Sequence, residues 1–277
     1  MSNTTLTCDT CFHHCALRDG QKGLCLSRKR QGESILPIGY GRISSLALDL
    51  IEKKPLYHFH PGRPIVSVGG LGCNLRCPFC QNSGISQSDN VPTRNLSPQE
   101  LIAIAEEART QYGNLGIAFT YNEPLINYEY IIDCGVLARK RDLCIVLVSN
   151  GTADPSVIRR LLPYVDAANI DLKGFSSDIY DRLGGSFDSV KETIALCCRN
   201  WHVEITSLIV EGFNDSPSDM EQEARWIASL DSSIPLHITR SFPHYRMPDL
   251  TPTSPALMQE MKAIAERYLA YVHLGNL

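Results

Sequence analysis

The stretch "PIVSVGGLGCNLRCPFCQN", Pro64 to Asn82, decides the fold. It opens as a short β-branched run, stops at a pair of glycines, and continues into three cysteines, Cys73, Cys77 and Cys80, spaced C-x3-C-x2-C. A strand that empties into a cysteine loop places soft ligands at the carboxyl end of that strand. Thiolates favour iron–sulfur clusters or zinc. Three ligands from one loop leave a fourth coordination position to be filled from elsewhere. The neighbouring Gly69, Gly70 and Gly72 let the backbone come close to a bound group.

Downstream of this loop, helical and strand patterns alternate. "SPQELIAIAEEARTQYG" begins with a capping box, Ser97 with Glu100, and has Pro98 at the first helical position. "GIAFTYNEP", "LCIVLVSNG", "AANIDLKG", "VEITSLIVEG" and "IPLHITRS" read as strands with their exits, each followed by a helical pattern, and "YVHLG" closes the series. Parallel strands with helical crossovers are the economical solution, because a tight turn cannot reach a parallel neighbour. The expected fold is α/β, a partial (βα)6-type parallel barrel over residues 64–277. Residues 1–30 read as a small cysteine-rich metal module. Residues 31–63 read as a connector packing on the core, whose middle can pair as a strand.

In such folds the site lies at the carboxyl ends of the strands. Those ends carry Tyr121, Asn122 and Glu123, then Ser149 and Asn150, then Asp171 and Lys173. Glu204 and Thr206, and His237 and Arg240, lie on the last long strands and are expected at the same rim as substrate or cofactor contacts. The remaining thiols form one further group, Cys8, Cys11, Cys15 and Cys25, spaced C-x2-C-x3-C-x9-C with His13 and His14 between them. Four soft ligands in one segment can close a tetrahedral zinc site or hold a second iron–sulfur cluster. Cys134, Cys144, Cys197 and Cys198 sit in apolar stretches and read as small buried hydrophobes.

The chain has 277 residues and a formal net charge of −4, with no basic run, which argues against nucleic acid or an anionic membrane surface as partner. The polar start "MSNTTLTCDT" is no secretory signal, and no apolar run is long enough to span a bilayer. Cysteine clusters in such a chain point to metal chemistry in the cytoplasm rather than to disulfides.

The ordered set "GCNLRCPFCQN", "TYNEP", "SNG", "DLKGF", "EITSLIVEGFND" and "HITRSFPHYRM" resembles the radical S-adenosylmethionine (SAM) enzymes, within them the pyruvate formate-lyase activating enzyme-like group. "ALDLIEKKPLYHFHPG" and the N-terminal cysteines resemble the branch called AmmeMemoRadiSam system radical SAM enzymes. The resemblance implies a [4Fe–4S] cluster on Cys73, Cys77 and Cys80, its open iron chelated by SAM. It implies SAM contacts from Glu123, Asn122, Ser149, Asn150, Asp171 and Lys173. The implied reaction is reductive cleavage of SAM to a 5′-deoxyadenosyl radical that takes hydrogen from a substrate. No separate catalytic residue is assigned. Alternatives are an activase that acts on a glycine of a partner enzyme and a non-catalytic metal-binding scaffold. The implied partners are a flavodoxin or ferredoxin as electron donor, a protein or small-molecule substrate, and a functional link to Memo-like and AMMECR-like proteins. Two departures stand out: Ser83 and Gly84 follow "CQN" where many branch members read Trp-Glu, and no further cysteine pair follows the final "GN".

Overall fold

In a computed structural model, residues 4–88 and 90–277 are described. One eight-stranded sheet organises the chain. Its strands are β1 (Ser45–Leu50), β2 (Pro64–Gly69), β3 (Gly116–Thr120), β4 (Cys144–Ser149), β5 (Ala167–Asp171), β6 (His202–Ile209), β7 (Leu236–Arg240) and β8 (Val272–Gly275). They lie side by side in chain order. The pair β1–β2 is antiparallel, with Ser45 opposite Gly69, and every later pair is parallel. Sequential parallel order means that each crossover passes the same face of the sheet. Right-handed crossovers then curl the sheet around its other face. The edges β1 and β8 are not paired with each other, so the barrel stays open.

Each crossover carries one main helix, α1 (Pro98–Tyr112), α2 (Tyr128–Arg139), α3 (Pro155–Leu161), α4 (Phe187–Cys197), α5 (Pro217–Leu230) and α6 (Pro255–Ala265), with shorter helices at Ser83–Ser86 and Ser177–Arg182 ahead of α1 and α4. Four of them start alike. Ser97, Asp154, Ser216 and Ser254 each cap the helix with a side-chain oxygen, and a proline follows. The cap satisfies an N–H that the first turn leaves unpaired, and proline needs no partner there. The capping box of Ser97 and Glu100 forms as the sequence predicts, and Gly113 ends α1 in the left-handed conformation.

Strand alternation sorts the side chains. Val66, Val68, Ile117, Phe119, Ile145, Leu147, Ala168, Ile170, Ile205 and Ile238 point outward and pack with the helices in one large core. The inward positions form a smaller apolar plug at the amino ends of the strands. There Ile65, Ala118, Val146 and Ala167 meet Ile51 and Leu56 from the β1–β2 connection. Above this plug the interior is hollow.

The N-terminal segment makes two small antiparallel pairs, Leu6–Thr7 with Ala16–Leu17 and Arg28–Gln31 with Ser34–Pro37. It is pinned to the barrel by the buried Arg28, whose guanidinium meets Glu129 at 2.7 Å, and by the Asp154 amide donating to the Thr10 carbonyl at 3.0 Å. Cys134 and Cys197 are buried and Cys198 half-buried in the apolar core, whereas Cys144, also half-buried, lies outside it near Asp166, Arg139 and Arg63. Among the described residues no helix is long and apolar enough to cross a membrane.

Candidate functional site

The hollow of the barrel is a cavity of about 710 Å³. Cys73, Cys77 and Cys80 stand at its wall with Asn122, Glu123, Asn150, Asp171, Lys173, Thr206 and His237. The volume suits a cofactor-sized ligand. One turn of chain after β2 therefore brings the three thiols over the mouth of the sheet.

The thiol loop is held by backbone and amide contacts rather than by its own secondary structure. Asn122 clamps its glycines: its Oδ1 accepts from the Gly70 amide at 2.9 Å and its Nδ2 donates to the Gly72 carbonyl at 3.0 Å. Gly72 has φ +81°, and a Cβ there would lie 2.2 Å from the Cys25 carbonyl oxygen, so only glycine fits. Asn74, which sequence reading passed over, is the hub beneath the loop. Its Nδ2 donates to Thr152, its Oδ1 accepts from Asn150, and its carbonyl meets His13 Nε2 at 2.8 Å. Its place between two motif cysteines was the available signal. Asn150 also donates to Cys73 Sγ at 3.6 Å, and the Leu75 amide does so at 3.3 Å.

Glu123 is the buried acid of the site. Its Oε1 accepts from the Leu125 amide at 2.9 Å and the Ser149 hydroxyl at 2.8 Å, and its Oε2 from the Asn150 amide at 2.8 Å. Burial pushes its carboxyl up to about 7 against these three donors. Among the described residues no cationic side chain is bonded to it. Ser149 does not line the cavity; its hydroxyl donates to Glu123 and accepts from the Gly151 amide at 3.0 Å. Tyr121, just before this turn, holds a left-handed φ of 72°, a costly conformation for a tyrosine.

Across the cavity Lys173 Nζ donates to Asp171 Oδ2 at 3.0 Å. Burial opposes the lysine charge, but Asp171 and Cys77 outweigh it and raise the ammonium above its ordinary value. Burial pushes the Cys77 thiol up to about 11, with Lys173 pulling the other way, and burial with Glu123 raises Cys73 further. Burial therefore keeps the Cys73 and Cys77 thiols protonated when no metal centre is bound. A metal centre that binds thiolate displaces their protons and supplies the positive charge that burial removes.

The last four candidates divide. Thr206 and His237 are neighbours across β6 and β7 and both line the cavity. Thr206 Oγ1 is buried and has no hydrogen-bond partner among the described residues. Glu204 does not line the cavity: it lies in the floor, near the amino end of β6, and all its oxygen sites are taken. Its Oε1 accepts from the His58 amide and His202 Nε2, and its Oε2 from the Tyr57 amide and His237 Nε2. Arg240 is on the outward parity of β7, where its Nε donates to the Thr253 carbonyl at 2.6 Å. The expected common rim thus holds for the earlier strands and fails for these two residues, because one sits too low on its strand and the other faces the helices.

The four N-terminal thiols come together below the loop. Cys8, Cys11 and Cys25 are buried and Cys15 is half-buried, and Cys15 Sγ and Cys25 Sγ both flank Gly23. Burial pushes Cys11 up to about 12, with smaller contributions from Cys25 and Cys8. Among the described residues no three His, Cys, Asp or Glu side chains are arranged as a single-ion site. A cluster asks for a different arrangement, since each thiolate binds its own iron.

A family model described as the Radical SAM superfamily matches residues 67–227. An uncharacterized protein of Methanocaldococcus jannaschii, MJ0808, is 36% identical, the alignment covering 100% of this chain and 83% of that one. The 4-hydroxyphenylacetate decarboxylase activating enzyme of Clostridium scatologenes is 26% identical over 50% of this chain and 45% of its own. Among solved structures, a radical SAM methyltransferase from Sphaerobacter thermophilus superposes with a TM-score of 0.59 at 22% identity, covering 78% of this chain and 67% of that one.

Proposed function

The chain belongs to the Radical SAM superfamily, a family of enzymes that implies an iron–sulfur cluster and SAM, and on that premise we propose the following assignment. Cys73, Cys77 and Cys80 hold a [4Fe–4S] cluster, and the cavity beside it receives SAM. The single observation that carries this reading is the shared cavity: three thiols, a buried acid without a bonded cation, and an acid–lysine pair line one hollow. When both are bound, cluster and cofactor supply reductive cleavage of the sulfonium to a 5′-deoxyadenosyl radical, which abstracts hydrogen from a substrate not yet identified.

The residues have distinct tasks in this reading. Glu123 meets the cofactor ammonium, which supplies the positive partner its buried carboxyl lacks. Lys173, held by Asp171, meets the carboxylate. Asn150 orients Cys73 and supports Glu123 through its amide. Asn122 keeps the glycine backbone close to the cluster and, as a residue of the cavity wall, contacts SAM as well. Ser149 fixes Glu123 from behind. The four N-terminal thiols hold a metal centre in this reading, structural zinc or a second cluster; the lack of a single-ion arrangement among the described side chains weighs against the zinc first expected there. A flavodoxin or ferredoxin supplies the electron, and the functional link to Memo-like and AMMECR-like proteins belongs to the same reading.

The test is anaerobic. The cluster is reconstituted and its iron counted, SAM and dithionite are added, and 5′-deoxyadenosine is quantified, with Cys77→Ala as control. Product that disappears in the control is expected. No product from wild-type protein with a full cluster overturns the assignment. The similarity to an activating enzyme favours a second reading, hydrogen abstraction from a glycine of a partner protein; a glycyl radical signal in electron paramagnetic resonance distinguishes it. An inert scaffold is disfavoured, because it has no use for Glu123, Asp171 and Lys173 around one hollow.

A further inference from the structure

The floor of the cavity carries a cluster of side chains that cluster and cofactor binding leave unexplained. The chain has eight histidines, and four of them, His58, His202, His237 and His273, gather around Glu204. Only His237 of these four lines the reaction cavity, with its side chain 3% exposed. Its Nε2 is 2.6 Å from Glu204 Oε2. Two backbone amides and two imidazoles hold Glu204 down to about 2, so it is ionised at neutral pH and can only accept. The proton of a neutral His237 ring is therefore on Nε2, and Nδ1 carries the lone pair.

The rest of the surroundings fix the ring without occupying that nitrogen. Tyr57 packs edge-on at 4.6 Å between ring centroids, and His273 stacks at 5.2 Å. His273 is tied in turn to His58, Nε2 to Nε2 at 2.8 Å, and burial together with His237 and His58 lowers its own affinity for a proton. His202 bonds the far oxygen of Glu204 at 2.9 Å, and Lys262 lies beyond His273. Thr206, the cross-strand neighbour of His237, lines the cavity as well, but its Oγ1 is shut off from the open space.

We propose that His237, oriented by Glu204, is the catalytic base of this cavity and exchanges a proton with the substrate through Nδ1. The proposal rests on the radical reading given above and extends it to the substrate. A hydrogen atom leaves a substrate carbon for the 5′-deoxyadenosyl radical. The proton of an O–H on that carbon then passes to Nδ1, leaving a substrate radical anion and an imidazolium paired with the Glu204 carboxylate. No electron beyond the one carried by the substrate radical is needed. Such a site serves a substrate that bears an ionisable O–H at the carbon attacked. Glu204 is the positioning residue.

The test uses full-length protein with an oxidised, reconstituted cluster and nitrogen-15 histidine, followed by NMR from about pH 9 down to about pH 6. The His237 signals are identified by their loss in His237→Gln. The expected result is an Nε2–H ring at high pH whose Nδ1 takes up a proton as the pH falls while the fold persists. An Nδ1–H ring, or ring nitrogens that ignore pH, overturns the proposal. In Glu204→Gln the uniform Nε2–H form gives way to a mixture of both ring tautomers, and Glu204→Asp restores it; an unchanged tautomer overturns the role of Glu204. If Glu204→Gln does not fold, the wild-type ring form and its pH response decide. The 5′-deoxyadenosine assay on the same wild-type preparation reports on the radical reading separately, so the two fail independently.

Discussion

Glu123 and Glu204 are the same residue type, 2% and 0% exposed, at opposite ends of one barrel, yet their surroundings move the two carboxyls in opposite directions overall. Glu123 is pushed up to about 7, and Glu204 is held at about 2. Desolvation raises both. The difference is the company at the oxygens: two amides and a hydroxyl, with Asp171 nearby, against two amides and two imidazoles. A carboxylate that the fold has fully partnered is an anchor. One that the fold leaves short of positive charge is ready for a ligand. The pair therefore separates a floor built for structure and orientation from a mouth built to receive a cation.

The largest effect should come from the floor. Glu204→Gln keeps the shape but turns half of the acceptor into a donor, and leaves two of its four donors without partners. At roughly 1–3 kcal/mol for each buried donor orphaned, a loss of about 3 kcal/mol is expected in urea unfolding. A loss below about 1 kcal/mol would show that the segment at Tyr57 and His58 does not depend on this carboxylate.

The pH response sharpens the contrast. The folded pKa of Glu123 lies above the unfolded value, so its contribution is fully present below about 4.5 and is lost as pH rises through about 7. Glu204 is the reverse: its contribution is present above about 4.5 and is lost as pH falls through about 2. Each window spans about 3 kcal/mol at 1.36 kcal/mol per pKa unit. Stability profiles of cofactor-free Glu123→Gln should lose the slope between about pH 4.5 and pH 7 and keep the acid limb. Wild-type and variant profiles that coincide in that window would mean Glu123 is not the uncompensated acid described above. With SAM present the order inverts: Glu123→Gln should bind the cofactor about 10- to 100-fold more weakly by calorimetry, the loss of one charge-assisted pairing.

The smallest effect is Ser149→Ala. It removes one of three donors to Glu123 and should cost about 1 kcal/mol of stability, while weakening SAM binding by no more than a few-fold. A loss as great as that of Glu123→Gln would place Ser149 against the cofactor itself.

Much of this was legible in the residues. The alternation after Pro64 dictated parallel strands, and the Ser-Pro and Asp-Pro pairs marked helix starts, because local chemistry decides both. The thiols, Glu123, Asn150, Asp171 and Lys173 were found together because each follows a strand directly, and strand exits share one end of a parallel sheet. What the residues alone did not reveal depends on register. "SLALDL" alternates as a strand should, but nothing local says that it pairs antiparallel with β2. Arg240 and His237 differ only in parity, three positions apart on one strand, and parity follows from neighbours chosen elsewhere in the chain. Glu204 was misread because height along a strand decides between floor and mouth.

The close approach of Gly72 to the carbonyl of Cys25 has a consequence for the size of the working unit. The family match begins at residue 67, but the underside of the thiol loop is made by residues 8–30, through Cys25 and His13. A fragment trimmed to the matched segment would keep every ligand of the loop and lose the surface against which that loop is shaped.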